Sequence, residues 1–280
     1  MVDLLPLWLR DVLGENVLFW LGYFTNGKHL SWYASVQYTL AAGAIGAAVA
    51  LGLGVLSAAG RNSRFAAFRF AGKAYTNSLP GIPDVLFFLF FPLAFEQAVE
   101  WIRAQAVCSP EQLAEGRWPL CPEANLIFGS FEYLILAGVS LGIVYGAFAG
   151  NVISGAMNSV PRGQLEAARA YGMSPLQVLL RVHIRQMWAY ALPGLSNIWM
   201  LLIKATSLLS LLQISDIVLW ADRLGSPNFT RSAGLVHPDW RWAYYLVLLI
   251  FYIVLTFLSE KLFAVLQRWA GRGMATAGAS

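Results

Sequence analysis

The run from Leu30 to Gly60 contains no Asp, Glu, Lys or Arg. About 20 consecutive apolar residues suffice for a helix to cross the hydrocarbon core of a bilayer, so this run is long enough to span a membrane. The rest of the 280-residue chain is similar, since 58% of its residues are hydrophobic and 12% are charged. A soluble domain has about 25% charged residues. The sequence therefore excludes a soluble globular protein and predicts an all-α integral membrane protein.

The hydrophobic pattern predicts five membrane spans, at about residues 35–59, 77–99, 133–160, 193–220 and 242–262. Together they form an expected transmembrane domain over residues 34–269, followed by a tail at 270–280. Residues 1–33 carry Trp8, Trp20, Tyr23 and Trp32 among leucines. We expect this segment to be an amphipathic helix that lies in the membrane interface, with a sixth short span as the alternative.

The basic residues predict the orientation of the chain. Of its 19 Lys and Arg residues, 11 fall on the side of the loop at 160–185 and seven on the other side, with Lys204 inside a span. Cytoplasmic loops are the ones enriched in Lys and Arg. The N-terminus is therefore expected outside the membrane and the C-terminus in the cytoplasm. Basic residues spread singly along the chain are not a nucleic-acid signal.

Two predicted spans contain ionisable groups, which cost about 3 kcal/mol each at membrane depth. The second has Asp84 directly after a Pro80-Gly81-Ile82-Pro83 break, and the fourth has Lys204 and Asp216. We hypothesise a shared polar cavity in which Lys204 pairs with Asp84 or with a partner subunit; a purely structural ion pair or a helix junction is the alternative. The candidates for a substrate pathway are Asp84, Asn151, Lys204, Ser207, Ser210, Gln213 and Asp216.

The third predicted span has a glycine at every fourth position: Gly138, Gly142, Gly146 and Gly150. Such a stripe lets another helix approach closely. It predicts helix packing rather than chemistry.

The predicted outer loop holds both cysteines, Cys108 and Cys121. If that loop is periplasmic we expect a disulfide, with two unpaired thiols as the alternative. The loop contains no histidine, so no metal site is expected. The sequence also lacks an ATP-binding P-loop, because Gly72-Lys73 is followed by Ala74. Any ATP hydrolysis is thus expected on another polypeptide.

The loop at about 160–185 predicts a short surface helix suited to docking. Residues 164–171 form two turns, Gly172 is placed to end them, and Ser174 can cap a new helix through Gln177. Leu165, Ala168 and Tyr171 are the expected contact face of the first helix. Glu166 and Arg169 are expected near its rim.

The Glu166-Ala167-Ala168 segment followed by Gly172 resembles the EAA loop of ABC-transporter permeases. With Ala191-Leu-Pro-Gly-Leu-Ser-Asn and Lys204-Ala-Thr-Ser-Leu-Leu-Ser-Leu, the likeness extends to the polar amino acid subfamily, which includes permeases for histidine, for lysine/arginine/ornithine and for opines. It covers residues 35–269. The residues that would couple the chain to an ATPase are Gln164, Leu165, Glu166, Ala167, Ala168, Arg169, Tyr171 and Gly172.

This resemblance implies the MetI-like, five-helix core of a type I ABC importer permease in a bacterial inner membrane. It further implies a second permease subunit, expected to form a heterodimer, and two copies of an ATPase that bind ATP and Mg. A periplasmic binding protein would deliver an amino acid or a derivative, moved by alternating access. No cofactor is expected on this chain.

Some positions depart from the family pattern. Asn151 stands where a Glu is usual and Ser154 where an Arg is usual, which weakens the case for a strongly cationic ligand bound by this subunit. The rival class is a secondary transporter or channel for a small polar solute, but that class favours internal repeats and the sequence shows none. A membrane-bound enzyme would need a cluster of histidines or acids, which is also missing from the sequence.

Overall fold

The computed structural model describes residues 7–116, 118, 120–230 and 235–271. The chain enters through α1 (Leu7–Phe24) and α2 (Gly27–Ala34), and α2 leads almost directly into α3 (Val36–Arg61). Across the described residues, only a single bridge between Asn228 and His237 has strand-like pairing. The all-α prediction is confirmed.

Two helices, separated by a break, cover the segment in which the second span is predicted. α4 (Ala66–Ser78) ends in a 3₁₀ turn at Leu79–Gly81, and α5 (Asp84–Val107) begins after Pro83. Ile82 has the extended backbone that a residue before proline prefers. The helix long enough to span the membrane therefore begins at Asp84 and not at residue 77 as predicted, because the two prolines interrupt the helix before Asp84.

The α5–α7 connection contains α6 (Pro110–Glu115), and α7 (Ser130–Ser159) follows. The structure joins Cys108, which follows α5, to Cys121 in a disulfide with a Cα–Cα distance of 5.8 Å. Cys121 is buried against Ala104 and Ala124. The bridge thus closes the loop onto the end of α5.

The chain after α7 forms two short helices, α8 (Arg162–Ala170) and α9 (Pro175–Gln177), and a π-helical turn at Val178–His183. α10 (Ile184–Ala205) then crosses the bundle and ends in a 3₁₀ segment at Thr206–Leu212. α11 (Ile217–Gly225) is a separate helix, and α12 (Arg241–Ala270) is the last one described. The predicted fourth span at 193–220 is therefore wrong at both ends.

Five helical stretches of the described residues are long and apolar enough to cross a membrane: Gly27–Arg61, Asp84–Val107, Ser130–Ser159, Pro175–Leu212 and Arg241–Ala270. This confirms the predicted number of spans. α1 is not among these stretches, and its place in the membrane interface stays a prediction.

α7 is the centre of the bundle. Of its most apolar stretch, 72% is buried, against 11% for α12. The glycine stripe of α7 packs directly on α3: a Cβ added at Gly142 would lie 2.4 Å from Val49 Cβ, and one at Gly138 would lie 2.8 Å from Ile45. The predicted packing role of these glycines is confirmed.

α2 is fastened to the far end of the bundle, opposite α8. The Trp32 Nε1 donates a hydrogen bond of 3.0 Å to the Ile217 carbonyl, and the His29 Nε2 lies 2.8 Å from the Tyr244 hydroxyl. Both side chains are buried. α2 is thus packed against α11 and α12.

Candidate functional site

α8 ends in a left-handed glycine. Gly172 has a φ of 81°, and its N–H donates to the Arg169 carbonyl at 2.9 Å. The Met173 N–H donates to the Ala168 carbonyl at 3.2 Å. These two bonds form a Schellman motif, which satisfies carbonyl groups that the helix end leaves open. The predicted role of Gly172 as the residue that ends this helix agrees with the structure.

One face of α8 packs against the chain itself. Ala168 is buried, and Leu165 packs on a cluster that includes Ile153 and Met187 from α7 and α10. The expected contact face of Leu165, Ala168 and Tyr171 is therefore wrong for two of its three members. The helix needs an apolar side to hold it on the bundle, and these two residues supply that side.

The opposite face of α8 is open. Tyr171 is 89% exposed, and Glu166, Ala167 and Arg169 are also exposed. Within the described residues neither Glu166 nor Arg169 forms an ion pair. An exposed tyrosine at the end of a helix that carries exposed charges of both signs is suited to contact with another protein.

The loop after α8 is fixed to its neighbours. Ser174 and Gln177 form a capping box, with hydrogen bonds of 2.9 and 3.4 Å. In the π-helical turn, the His183 Nε2 lies 2.9 Å from the Met157 carbonyl near the end of α7. The Gln186 side chain in α10 hydrogen-bonds Gln164 in α8. α8 is thus connected to two membrane helices, so that a displacement of α8 would be transmitted to both.

The break between α4 and α5 lies at about the level of the middle of α7. The Tyr145 hydroxyl donates a hydrogen bond of 3.2 Å to Asp84 Oδ2, and Tyr145 stands midway along α7. Asp84 is half-buried, and its Oδ1 also accepts a bond of 3.0 Å from the Val85 N–H. α5 therefore begins near the middle of the bundle, with the positive end of its dipole at that depth.

A second irregular segment packs beside this break. In the 3₁₀ segment after α10, the buried Leu209 belongs to one core cluster with Phe88 of α5 and Tyr145 of α7. Ser207 and Ser210 donate to the carbonyls of Lys204 and Ser207, at 2.8 and 3.0 Å. Gln213 then adopts a φ of 57°. Both candidate serines are thus engaged with the local backbone, and Gln213 ends the segment.

Lys204 is exposed near the end of α10, and within the described residues it forms no ion pair with Asp84. The predicted pairing with Asp84 is therefore not seen in this chain. Pairing with another subunit stays open as a prediction.

Asn151 belongs to a different polar cluster, closer to α8 than Asp84. Its side chain accepts a hydrogen bond from the Arg61 Nη1 and donates one of 2.9 Å to the Thr76 carbonyl. The same Arg61 nitrogen donates to Thr76 Oγ1 at 2.8 Å. This cluster ties α3, α4 and α7 together, so Asn151 is not brought to Asp84 or Lys204.

Asp216 lies outside the membrane helices, as the N-cap of α11. Its Oδ1 accepts a hydrogen bond of 2.9 Å from the Leu219 N–H, and its Oδ2 has no hydrogen-bond partner among the described residues. The side chain is fully buried. Burial raises the pKa of Asp216 to about 6, against the lowering effect of its backbone hydrogen bonds. Its expected place inside the fourth span is wrong, because α10 ends before it.

Sequence reasoning missed Tyr145, Arg61 and Thr76, which hold the second span and its break against α3 and α7. Tyr145 could have been noticed as a hydroxyl-bearing residue within the glycine stripe of α7. Arg61 and Thr76 fall at span ends, where polar residues are expected, and carry no distinct signal. Within the described part of the chain, no group of three or more His, Cys, Asp or Glu residues could hold a metal ion.

Comparisons with known proteins agree with this architecture. Residues 50–272 match the family described as "Binding-protein-dependent transport system inner membrane component". The nopaline transport system permease protein NocQ of Agrobacterium fabrum is 30% identical over 79% of this chain and 83% of its own length. The arginine ABC transporter permease protein ArtQ of Escherichia coli is also 30% identical, over 76% of this chain and 83% of its own.

Two further relatives cover more of the chain or show its fold. The octopine transport system permease protein OccQ of Rhizobium radiobacter is 26% identical over 91% of this chain and 96% of its own. A crystal structure of an amino acid ABC transporter with histidines matches with a TM-score of 0.63 at 18% identity, over 90% of this chain and 97% of that one. The chain belongs to the inner membrane components of binding-protein-dependent transport systems.

Proposed function

We propose that this chain is a transmembrane subunit of an ATP-driven importer for an amino acid or an amino-acid derivative. The observation that carries the proposal is the combination of the family match with relatives named for nopaline, arginine, octopine and histidine/lysine/arginine/ornithine. A periplasmic binding protein delivers the substrate.

α8 is the coupling helix of this importer. Its inward face holds it on α7 and α10, and its exposed face, with Glu166, Arg169 and Tyr171, contacts the ATPase. Two ATPase copies bind ATP and Mg, one for each permease subunit. Because α8 is hydrogen-bonded to α10 and the adjoining loop to α7, closure of the ATPase dimer shifts these helices together.

The orientation of the chain in the membrane follows from the contact between α8 and the ATPase. The ATPase is cytoplasmic, so α8 and the C-terminal end of α12 face the cytoplasm and the N-terminus faces the periplasm. The excess of Lys and Arg on the α8 side supports the same orientation. The disulfide loop is then periplasmic, in a compartment where disulfides persist.

The chain acts with a second permease subunit, and we propose a heterodimer. α5 and α12 bury only 17% and 11% of their most apolar stretches within this chain. Those helices need other apolar surfaces, which lipid and a second permease supply. The break at the start of α5 faces the partner: Gly81 has open space beside it, and Ile82 is 41% exposed.

This break is the proposed substrate pathway. Irregular backbone is tolerated at membrane depth only where protein buries it or where it lines a wet cavity. The N-terminus of α5 stabilises the Asp84 carboxylate, which suits a substrate ammonium group, and Lys204 supplies a positive charge for a substrate carboxylate. Amino acids carry both charges.

Copurification and reconstitution test the proposal. The tagged chain, isolated from its native membrane, should bring an ATPase and a second permease with it. In proteoliposomes, substrate-loaded binding protein should stimulate ATP hydrolysis and uptake. Lys204→Met should lower this stimulation by about tenfold or more, the loss of one good charged contact.

Lys261→Met is the matched control, because Lys261 is exposed on α12 with its Nζ over the Phe257 ring. This variant should transport normally. A solitary chain that transports without an ATPase would refute the importer. Normal stimulation in Lys204→Met would refute the role of Lys204 in the pathway while leaving the importer intact.

A further inference from the structure

A groove opens between α10 and α12 at the α8 end of the bundle. Its volume is about 570 Å³, and its walls come from both helices: Arg185, Trp188, Leu192, Leu266, Trp269 and Ala270. The proposed transport cycle uses none of these residues. Arg185 is the only charged side chain among them.

Arg185 is available for a ligand. It is exposed, and within the described residues it makes no hydrogen bond or ion pair. A guanidinium prefers to bind planar or tetrahedral anions such as carboxylate and phosphate through two parallel hydrogen bonds. Among the described residues no acidic side chain lines the groove, so its mouth attracts an anion.

A second, apolar cavity lies beside the groove, further along α10, and is called the apolar channel here. Its volume is about 190 Å³, it shares Trp188 and Leu192 with the groove, and its lining extends along α10 to Leu195 and Leu202. Ala47 and Ala149, from α3 and α7, form its floor. Small side chains on that floor leave a narrow apolar space between the helices.

The two cavities together are long enough for one acyl chain. Leu195 follows Arg185 by ten residues and Leu202 follows it by 17, which is about 15 Å and about 25 Å along an α-helix. Half of a hydrocarbon core of about 30 Å is about 15 Å, so the lining reaches at least the depth of one leaflet. Trp188 and Trp269 flank the mouth, and tryptophan is enriched at the level of the lipid head groups.

We infer that this groove binds an anionic phospholipid of the leaflet on the α8 side, with the phosphate group on Arg185 and one acyl chain in the apolar channel. Basic pockets between transmembrane helices bind such head groups in other membrane proteins. The lipid would fill the gap between α10, which adjoins the coupling loop, and α12, which is otherwise little buried. The site is independent of the proposed substrate.

Native mass spectrometry of the purified, assembled transporter tests the site. The probes are phosphatidylglycerol and phosphatidylcholine with the same acyl chains. The wild-type complex should retain one phosphatidylglycerol per copy of this chain and lose phosphatidylcholine more readily. Arg185→Gln should bind phosphatidylglycerol about tenfold more weakly, because a charge-assisted contact is lost.

Arg268→Gln is the matched control. Arg268 is exposed at the same end of α12 but does not line the groove, and its Nε donates to the Ala264 carbonyl at 3.2 Å. This variant should retain the lipid as the wild type does. Equal retention of phosphatidylglycerol in Arg185→Gln and the wild type would overturn the inference, as would equal retention of the two lipids by the wild type.

A photo-crosslinking residue at position 192 locates the occupant independently of charge. Leu192 lines both cavities, so its product should carry the mass of a phospholipid. A crosslink to the second permease or to the ATPase would instead show that a protein fills the groove, and would overturn the inference.

Discussion

Glycine serves different purposes in the α3–α7 seam and at the end of α8. In the seam, Gly142 and Gly150 leave room for another helix, since an added Cβ would lie 2.4 Å from Val49 Cβ and 2.2 Å from Ser57 Oγ. At the end of α8, Gly172 has open space around it and is needed for its φ of 81°. The first use holds the bundle together. The second shapes a surface that other proteins can reach.

This difference separates residues that fold the chain from residues that connect it to partners. The seam is buried and apolar, so its substitutions should affect stability first. The outer face of α8 is exposed and contributes little to the core, so its substitutions should leave the fold intact and change coupling. Substitutions in each region should separate loss of stability from loss of coupling.

The largest effect is expected in the seam. Gly142→Leu should destabilise the chain by about 3 kcal/mol or more, because the added side chain can be accommodated only if α3 and α7 move apart. Gly155→Leu is its control in the same helix, since no described residue outside that helix lies within 4 Å of a Cβ added there. Thermal unfolding in detergent should show a large drop for the first variant and little change for the second. Equal stability would mean that the seam is not tightly packed.

The second-largest effect is expected from substitution of the glycine that ends α8. Gly172→Val should leave membrane insertion and bundle stability nearly unchanged, but it should uncouple ATP hydrolysis from transport. A branched residue at positive φ costs about 1–2 kcal/mol and would displace the helix end. Gly172→Asn should recover much of the coupling, because asparagine tolerates this conformation. Full transport by the valine variant, measured in proteoliposomes, would contradict the proposed coupling role.

A pair of truncations on α8 sharpens the comparison further. Tyr171→Ala should weaken ATPase binding by about thirtyfold if Tyr171 is a hot spot worth about 2 kcal/mol. The chain's thermal stability should not change, because the side chain is 89% exposed. Leu165→Ala should do the reverse, since Leu165 packs inward on the bundle. If Leu165→Ala weakened ATPase binding as much as Tyr171→Ala without loss of stability, the assignment of the two faces would be wrong.

Much of the fold could be predicted from the sequence because the membrane imposes simple rules. The lengths of the apolar runs predicted the number of spans, and the spacing of the glycines identified the α7 face that packs on α3. The helix ends at Gly172 and Ser174 were also predictable, because capping depends on neighbouring residues alone. These features are local or periodic.

The site was less predictable because it depends on contacts between distant segments. The hydrogen bond from Tyr145 to Asp84 joins residues 61 apart in sequence, and the one from Arg61 to Asn151 joins residues 90 apart. The predicted shared cavity placed Asp84 and Asn151 together. They are apart because α4, which precedes the second span, packs on α3 and α7 beside Asn151 before the chain breaks and α5 starts.

The smallest expected effect is a dependence of stability on pH through Asp216. This residue is buried like the seam, yet it is polar, so it tests whether a buried carboxyl marks function or only caps α11. Its pKa is raised from an ordinary value near 3.8 to about 6 by burial. The folded chain therefore keeps a proton between pH 4 and pH 6 that the unfolded chain releases, and the stability this proton provides is lost as the pH rises through 6.

Thermal unfolding between pH 5 and pH 7 measures this loss. The wild type should lose about 1 kcal/mol over that range, or about 2–4 °C in Tm. Asp216→Asn should remove this pH dependence and keep the cap, because asparagine is an equally good N-cap. Asp216→Ala should be about 1 kcal/mol less stable than Asp216→Asn at every pH, because neither variant titrates and only the alanine variant lacks the cap. If Asp216→Asn transports normally and only its pH profile changes, Asp216 is a structural cap and leaves the list of pathway residues. If that variant loses transport while its stability rises, the carboxyl was retained for function at a cost in stability.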